Sequence, residues 1–201
     1  MGLSMFTPKN LLIHLFFVII CVGMLLNDVQ NTELIWNMFW ALIALDFAIL
    51  VRQNDHLASK LLITPFWLFF YPNTFYVLTE LVNIQFANAA LWESSSLLLF
   101  MLYIPSILFG IMAGVESLEA IFKGYNINVY GLRLLIIGSL SLFASYAIYI
   151  GRYANIRSWD IFTRPVTVFT SMISAISWET FPFIFGFTLL QIMVLVFAVD
   201  E

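Results

Sequence analysis

The sequence predicts an all-α polytopic membrane protein with about six transmembrane helices; composition, the length of the apolar stretches and the shortage of charge all indicate it. Of the 201 residues, 62% are hydrophobic and 10% are charged, whereas an average soluble domain carries about 25% charged residues. Because a soluble chain of this size cannot bury so much apolar surface, a soluble enzyme, a disordered chain and a nucleic-acid-binding protein are excluded. Spans of about 20 residues would use most of the chain, so residues 1–201 form a single transmembrane domain.

Six apolar stretches are long enough to cross a bilayer. Within lipid every backbone polar group needs an internal hydrogen-bond partner, and continuous apolar runs of this length fit helices. The predicted spans are 10–27, 34–51, 61–86, 95–115, 131–151 and 181–199. Residues 161–178 are moderately apolar, and their periodicity leaves open whether they span the membrane, dip into it as a re-entrant helix or lie on it as an interfacial helix.

The third predicted span contains a proline next to several polar residues. We expect Pro72 to break or kink the helix, and a helix restarting there would present free N–H groups to a polar or anionic group. Asn73, Tyr76 and Glu80 follow on one helical face with Asn83. Because such a stripe cannot face lipid, it indicates either a ligand-binding face or a buried polar network that only fixes helix packing.

Polar residues from other parts of the chain, among them Asn37, Arg152 and Asp160, are expected at the same membrane face as this stripe. If the N-terminus is inside, the third and fifth spans both run outwards, which brings Glu80 and Arg152 to the outer side. A guanidinium offers planar donors for a carboxylate or phosphate, although an Arg152–Glu80 pair that only neutralises buried charge is the competing interpretation. The candidate ligand-binding residues are Asn37, Asn73, Tyr76, Thr79, Glu80, Arg152, Ser158, Trp159 and Asp160.

The remaining polar and small residues indicate packing rather than chemistry. We expect Asp46 to pair with Arg52 or to reach the inner interface, and Gly110 and Gly114 form a G-x-x-x-G stripe that lets helices approach closely. The single cysteine, Cys21, excludes an intrachain disulfide. The two histidines do not have the spacing of metal ligands. We therefore assign no catalytic residue, metal site or cofactor.

The distribution of cations favours a cytoplasmic N-terminus. With that orientation five Lys or Arg residues lie on inner segments and three on outer ones, as the positive-inside rule prefers. The inner cations are Lys9, Arg52, Lys60, Lys123 and Arg133, and the outer ones are Arg152, Arg157 and Arg164.

Three segments of the chain resemble the motifs of an uncharacterised bacterial family, domain of unknown function 1361. They are the tryptophan-asparagine segment 36–41, the proline-asparagine segment 70–76 with 79–81, and residues 151–153 with 158–160. Glu80 stands where the family pattern has Asp. The resemblance implies a multi-pass protein of the bacterial inner membrane, and it implies no activity, substrate or cofactor.

The functional expectation is that the protein binds or passes a small polar or anionic solute at an outward-facing polar site, as in transporters built on broken helices. One alternative is a non-catalytic subunit of a larger membrane complex. The other is an acid/base enzyme acting on a lipid-linked substrate, which we disfavour because the spans lack a nucleophile with a nearby base. The expected partners are the lipid bilayer, the solute, and a second copy or a membrane partner subunit, but not nucleic acid.

Overall fold

The computed structural model describes residues 7–27, 29, 32–83, 94–153 and 160–199. Within these ranges it contains no strand, and six helical segments are long and apolar enough to cross a membrane. The predicted fold class and number of spans are therefore confirmed.

Six helices, one of them composite, form the membrane-spanning bundle. The composite third span comprises two α-helices and a 3₁₀-helix, and two short helices precede the last span. The bounds are α1 Pro8–Leu26, α2 Thr32–Gln53, α3 Leu57–Phe70, α4 Pro72–Tyr76, the 3₁₀-helix Val77–Asn83, α5 Ser94–Tyr125, α6 Tyr130–Tyr153, α7 Asp160–Thr163, α8 Pro165–Ser174 and α9 Phe181–Ala198.

Contacts between the helices fix their relative directions. Lys9 at the start of α1 lies 2.5 Å from Glu116 in the last third of α5, so these two helices are antiparallel. Gly124 near the end of α5 contacts the backbone of Arg52 near the end of α2, so α2 and α5 are parallel. The bundle thus has a terminal end, where α1 begins and α9 ends, and a far end, where α6 ends and α9 begins.

Helix α2 is the centre of the bundle. Half of its most apolar stretch is buried inside the protein, against 11% for α1 and for α9, and it packs on α5 on one side and on α3 on another. The outer helices α1 and α9 therefore expose most of their apolar surface, as lipid-facing helices do.

Helix α5 continues ten residues beyond the predicted end of the fourth span, to Tyr125. The prediction stopped before the charged residues, but these side chains are paired: Glu116 with Lys9, and Glu119 with Lys123, each at 2.5 Å. Pairing of the charges lets the helix extend past the apolar segment at the terminal end.

Asp46 does not pair with Arg52. Its Oδ2 atom lies 3.4 Å from the Nε2 atom of His14 on α1. Six residues separate Asp46 from Arg52 in α2, and at about 100° per residue the two side chains leave the helix in widely different directions. The neighbouring helix supplies the partner instead.

Helix α8, in the connection before the last span, is too short to cross a bilayer. It has ten residues, and at 1.5 Å per residue it is about 15 Å long, half the thickness of the hydrocarbon core. Ser171, Ser174 and Ala175 lie against the last two turns of α6, and the Tyr146 hydroxyl donates to the Met172 carbonyl.

Candidate functional site

The turn at the Pro72 break is held by the side chains that follow it. Proline has no N–H and frees a carbonyl in the preceding turn. Asn73 Nδ2 donates to the Phe70 carbonyl at 3.0 Å, and Thr74 Oγ1 donates to the Tyr71 carbonyl at 2.7 Å. Both bonds go to carbonyls directly before Pro72, and neither goes to the Leu68 carbonyl four residues back, which Pro72 leaves without its helical donor. The two side chains therefore hold the turn at the break.

The expectation of a free N–H group just after the break is wrong for Thr74. Tyr71 keeps right-handed helical dihedral angles, although the α-helix is interrupted there. The Thr74 N–H donates to the Tyr71 carbonyl at 3.0 Å. Pro72 therefore changes the hydrogen-bond pattern rather than opening a helix terminus towards a ligand.

The change to a 3₁₀-helix at Val77 turns Glu80 inwards. In a 3₁₀-helix residues three apart lie on the same side, so the side chains of Val77 and Glu80 point to the same side of the helix. A Cβ atom added at Gly110 of α5 would lie 2.7 Å from Val77 Cγ2, which shows how closely this side is packed. The Glu80 side chain is fully buried as a result.

The centre of the candidate site is an ion pair between two spans. Arg152 Nη1 lies 3.4 Å from Glu80 Oε1, and the exposed fractions of the two side chains are 26% and 0%. The Arg152 guanidinium is also within hydrogen-bonding range of the Tyr76 hydroxyl. The structure thus brings together three of the predicted site residues from the third span and α6.

The start of α2 adds a carboxylate that the sequence analysis missed. Glu33 lies close enough to Tyr76 for an electrostatic interaction, and Asn37, a predicted site residue, is half-buried one turn further along the same helix. The signal for Glu33 is its position four residues before Asn37, because residues four apart share a helix face.

The other predicted residues lie in different surroundings. Asp160 is buried and accepts a hydrogen bond from Arg164 Nη2 at 3.0 Å, a partner that the sequence analysis did not assign. Thr79 Oγ1, in the 3₁₀-helix, donates to the carbonyl of Tyr76 at the end of α4, at 2.7 Å. Ser158 and Trp159 lie outside the described residues.

Aromatic stacking links α2 to the helix break. The Trp40 ring lies parallel to that of Phe70, with ring centroids 5.0 Å apart and an interplanar angle of 5°. Phe70 is the last residue of α3, directly before the break. Stacking at this position and the ion pair at Glu80 hold the two ends of the broken segment to different neighbouring helices.

The chemistry that this arrangement offers is recognition of charge. Arginine stays protonated and presents a planar fork of donors that matches carboxylate and phosphate groups. A quarter of the Arg152 side chain is exposed, so the guanidinium is not sealed inside the bundle. Among the residues that the structure describes, no group of three His, Cys, Asp or Glu side chains could hold a metal ion.

Comparison with known proteins identifies the family but no activity. No curated protein matches the chain, and no solved structure matches it. The model of the family described as "Protein of unknown function (DUF1361)" matches residues 36–194. This range includes most of α2, the broken third span and Arg152, and it covers more than half of the chain, so the protein belongs to the DUF1361 family.

Proposed function

We propose that the protein binds a small polar or anionic solute at the Glu80–Arg152 pair and carries it across the membrane or holds it at the far end of the bundle. The observation that carries this proposal is a fully buried carboxylate paired with a partly exposed guanidinium inside a spanning segment. Ionisable groups in such segments are costly and mark ligand or ion pathways by default.

A purely structural role explains this pair less well. A buried ion pair adds little net stability, and replacing both partners with apolar residues of similar volume is often neutral or stabilising. The 3.4 Å separation is long for a charge-assisted hydrogen bond, which is usually about 2.7–2.9 Å. A weak, accessible pair is suited to exchanging one partner for a ligand.

Arg152 determines the class of solute. Its guanidinium favours a carboxylate or a phosphate group, which can accept two parallel hydrogen bonds. Tyr76, next to it, offers a hydroxyl that can donate to or accept from a neutral polar part of the same solute. Glu80 acts in this account as a positioning residue that keeps the guanidinium at the mouth of the site.

The site is proposed to open outwards from a bacterial inner membrane, with the N-terminus in the cytoplasm. Three cations, Arg52, Lys60 and Lys123, lie close together at the terminal end and support this orientation. Lys60 donates to the carbonyl of Gly124, and Gly124 also contacts Arg52. Cations concentrate on the cytoplasmic side of membrane proteins. The Glu80–Arg152 pair lies at the opposite end.

A thermal-shift screen of the purified protein in detergent tests the proposal. The probes are carboxylates, phosphate esters and neutral polyols, each measured with the wild type, Glu80→Gln and Arg152→Lys. A solute bound only by the folded protein stabilises it by about 2.7 kcal/mol at a hundredfold excess over Kd. We expect an anionic solute to raise the Tm of the wild type and to lose this effect in both variants.

Two results would overturn the proposal. One is a stabilising solute whose effect is unchanged in both variants, because it would bind elsewhere. The other is that no probe stabilises the wild type, while both variants are as stable as the wild type. That second result would favour the alternative of a subunit in a larger membrane complex, which co-purification with a stoichiometric partner would then establish.

A further inference from the structure

A second pair of ionisable residues joins α1 to α2 near the terminal end, away from the proposed solute site. His14 Nδ1 lies 2.8 Å from the Asn10 carbonyl oxygen, and His14 Nε2 lies 3.4 Å from Asp46 Oδ2. A carbonyl oxygen can only accept, so Nδ1 carries a hydrogen atom and donates. Both ring nitrogens of His14 are therefore committed to oxygen atoms.

A direct hydrogen bond between the two side chains requires one further proton. In the neutral tautomer with hydrogen on Nδ1, the lone pair of Nε2 would face the carboxylate, and two acceptors would repel each other. One proton, either on Nε2 or on the Asp46 carboxyl group, turns the contact into a hydrogen bond. A direct hydrogen bond between His14 and Asp46 thus forms only with a bound proton.

We propose that His14 and Asp46 form a proton-binding site that controls the docking of α1 against α2. The exposed fractions of the two side chains are 45% and 26%, so neither is sealed inside the bundle. The docking depends on few contacts: α1 buries little of its surface, and the other ion pair that it forms with the residues that the structure describes is Lys9–Glu116. Loss of the proton would replace an attraction with a repulsion at one of these points.

The charged groups around the pair are themselves engaged or directed elsewhere. Lys9 of α1 pairs with Glu116 of α5 at 2.5 Å, and Lys123 of α5 pairs with Glu119. Arg52 of α2 leaves that helix in another direction and contacts Gly124. On α3, Lys60 donates to the carbonyl of Gly124. Between α1, α2 and α5 lies an apolar cluster that includes Ile13, Phe17, Leu42, Leu45, Ile49, Phe109 and Ala113.

Nitrogen NMR of histidine-labelled protein in nanodiscs tests proton binding. The sequence has two histidines, so all histidine ring signals come from His14 and the exposed His56. The variant His56→Gln shows which signals belong to which residue. We expect Asp46→Asn to change the ring-nitrogen signals of His14 and to leave those of His56 unchanged. His14 signals that are identical in the wild type and in Asp46→Asn would overturn the proposal.

A distance measurement tests docking. Spin labels at Leu11→Cys and Val129→Cys, in a Cys21→Ser background, report on the start of α1 relative to the α5–α6 connection. We expect the distance to change between about pH 5 and about pH 9. His14→Gln should abolish the change, whereas His56→Gln should retain it. A distance that is independent of pH in the otherwise wild-type protein would also overturn the proposal.

Discussion

A Cβ atom placed on Gly114 would lie 2.7 Å from Thr74 Oγ1 and 2.9 Å from Thr74 Cβ. The G-x-x-x-G stripe of α5 is therefore the surface on which the broken third span rests, because Gly110 meets Val77 in the same way one turn earlier. Small residues at helix contacts in membranes allow such close approach. The two glycines thus fix the position of the segment that carries Glu80.

We predict that Gly114→Ala destabilises the protein by about 1–3 kcal/mol, the usual cost of adding a methyl group to a packed interior. Gly138→Ala on α6 is the matched control, because an added Cβ there meets no atom within 4 Å. Alanine favours a helix over glycine by about 1 kcal/mol, so the control should be unchanged or more stable. Equal destabilisation of both variants in a denaturation experiment would contradict the account.

The Glu80–Arg152 pair should respond asymmetrically to substitution. Arg152→Met leaves a fully buried carboxylate without its guanidinium and should cost about 3–5 kcal/mol of unfolding free energy. Glu80→Met should cost less, because the Arg152 side chain is already a quarter exposed. The double variant should be less destabilised than the sum of the single variants, as apolar replacement of a buried pair often is.

A double-mutant cycle of unfolding in detergent measures this coupling. If the two single substitutions add without a coupling term, the residues do not interact in the folded protein. The ion pair in the structure would then have no energetic weight.

The contact between α6 and α9 should depend on one hydroxyl. Ser145 Oγ accepts hydrogen bonds from Gln191 Nε2 at 2.7 Å and from Thr188 Oγ1 at 3.0 Å. Ser145→Ala removes both bonds and should cost between about 0.6 and 1.7 kcal/mol, the range measured for hydrogen bonds between membrane helices.

Ser139→Ala is the control for Ser145. Its hydroxyl is exposed and donates to the Leu135 carbonyl within α6, so its removal should change the unfolding free energy by less than about 0.5 kcal/mol. Two variants of equal stability would show that the bonds between α6 and α9 add nothing.

The proposed orientation predicts which cysteines can be labelled from each side. Asp55→Cys lies in the connection between α2 and α3, at the terminal end, and Glu179→Cys lies just before α9, at the far end; both positions are exposed. With Cys21 replaced, a membrane-impermeant thiol reagent added outside intact cells should label Glu179→Cys and spare Asp55→Cys. The reverse pattern would place the candidate site on the cytoplasmic side.

The sequence predicts the spans well because length and hydropathy determine them. It also locates the break at Pro72 and the packing role of Gly110 and Gly114, since each follows from local chemistry. The continuation of α5 to Tyr125 is less predictable, because the charges there are tolerated only through a pairing between helices, Lys9 with Glu116.

Long-range partners account for most of the remaining differences. The pairing of Asp46 with His14 depends on where α1 lies against α2, which periodicity does not report. The change from α-helix to 3₁₀-helix at Val77 likewise depends on packing against α5, and it decides that Glu80 is buried. Arg152 as the partner of Glu80 could be anticipated because both side chains lie near span ends at the same face.

Binding of an anionic solute at Arg152 is the central claim, and calorimetric titration tests it most directly. The best stabilising solute from the thermal-shift screen would be titrated into the wild type, Arg152→Lys and Glu80→Gln in the same detergent. We predict a Kd at least tenfold weaker in each folded variant, a loss of about 1.4 kcal/mol of binding free energy or more. A Kd that is the same in all three proteins would show that the Glu80–Arg152 pair is not the binding site.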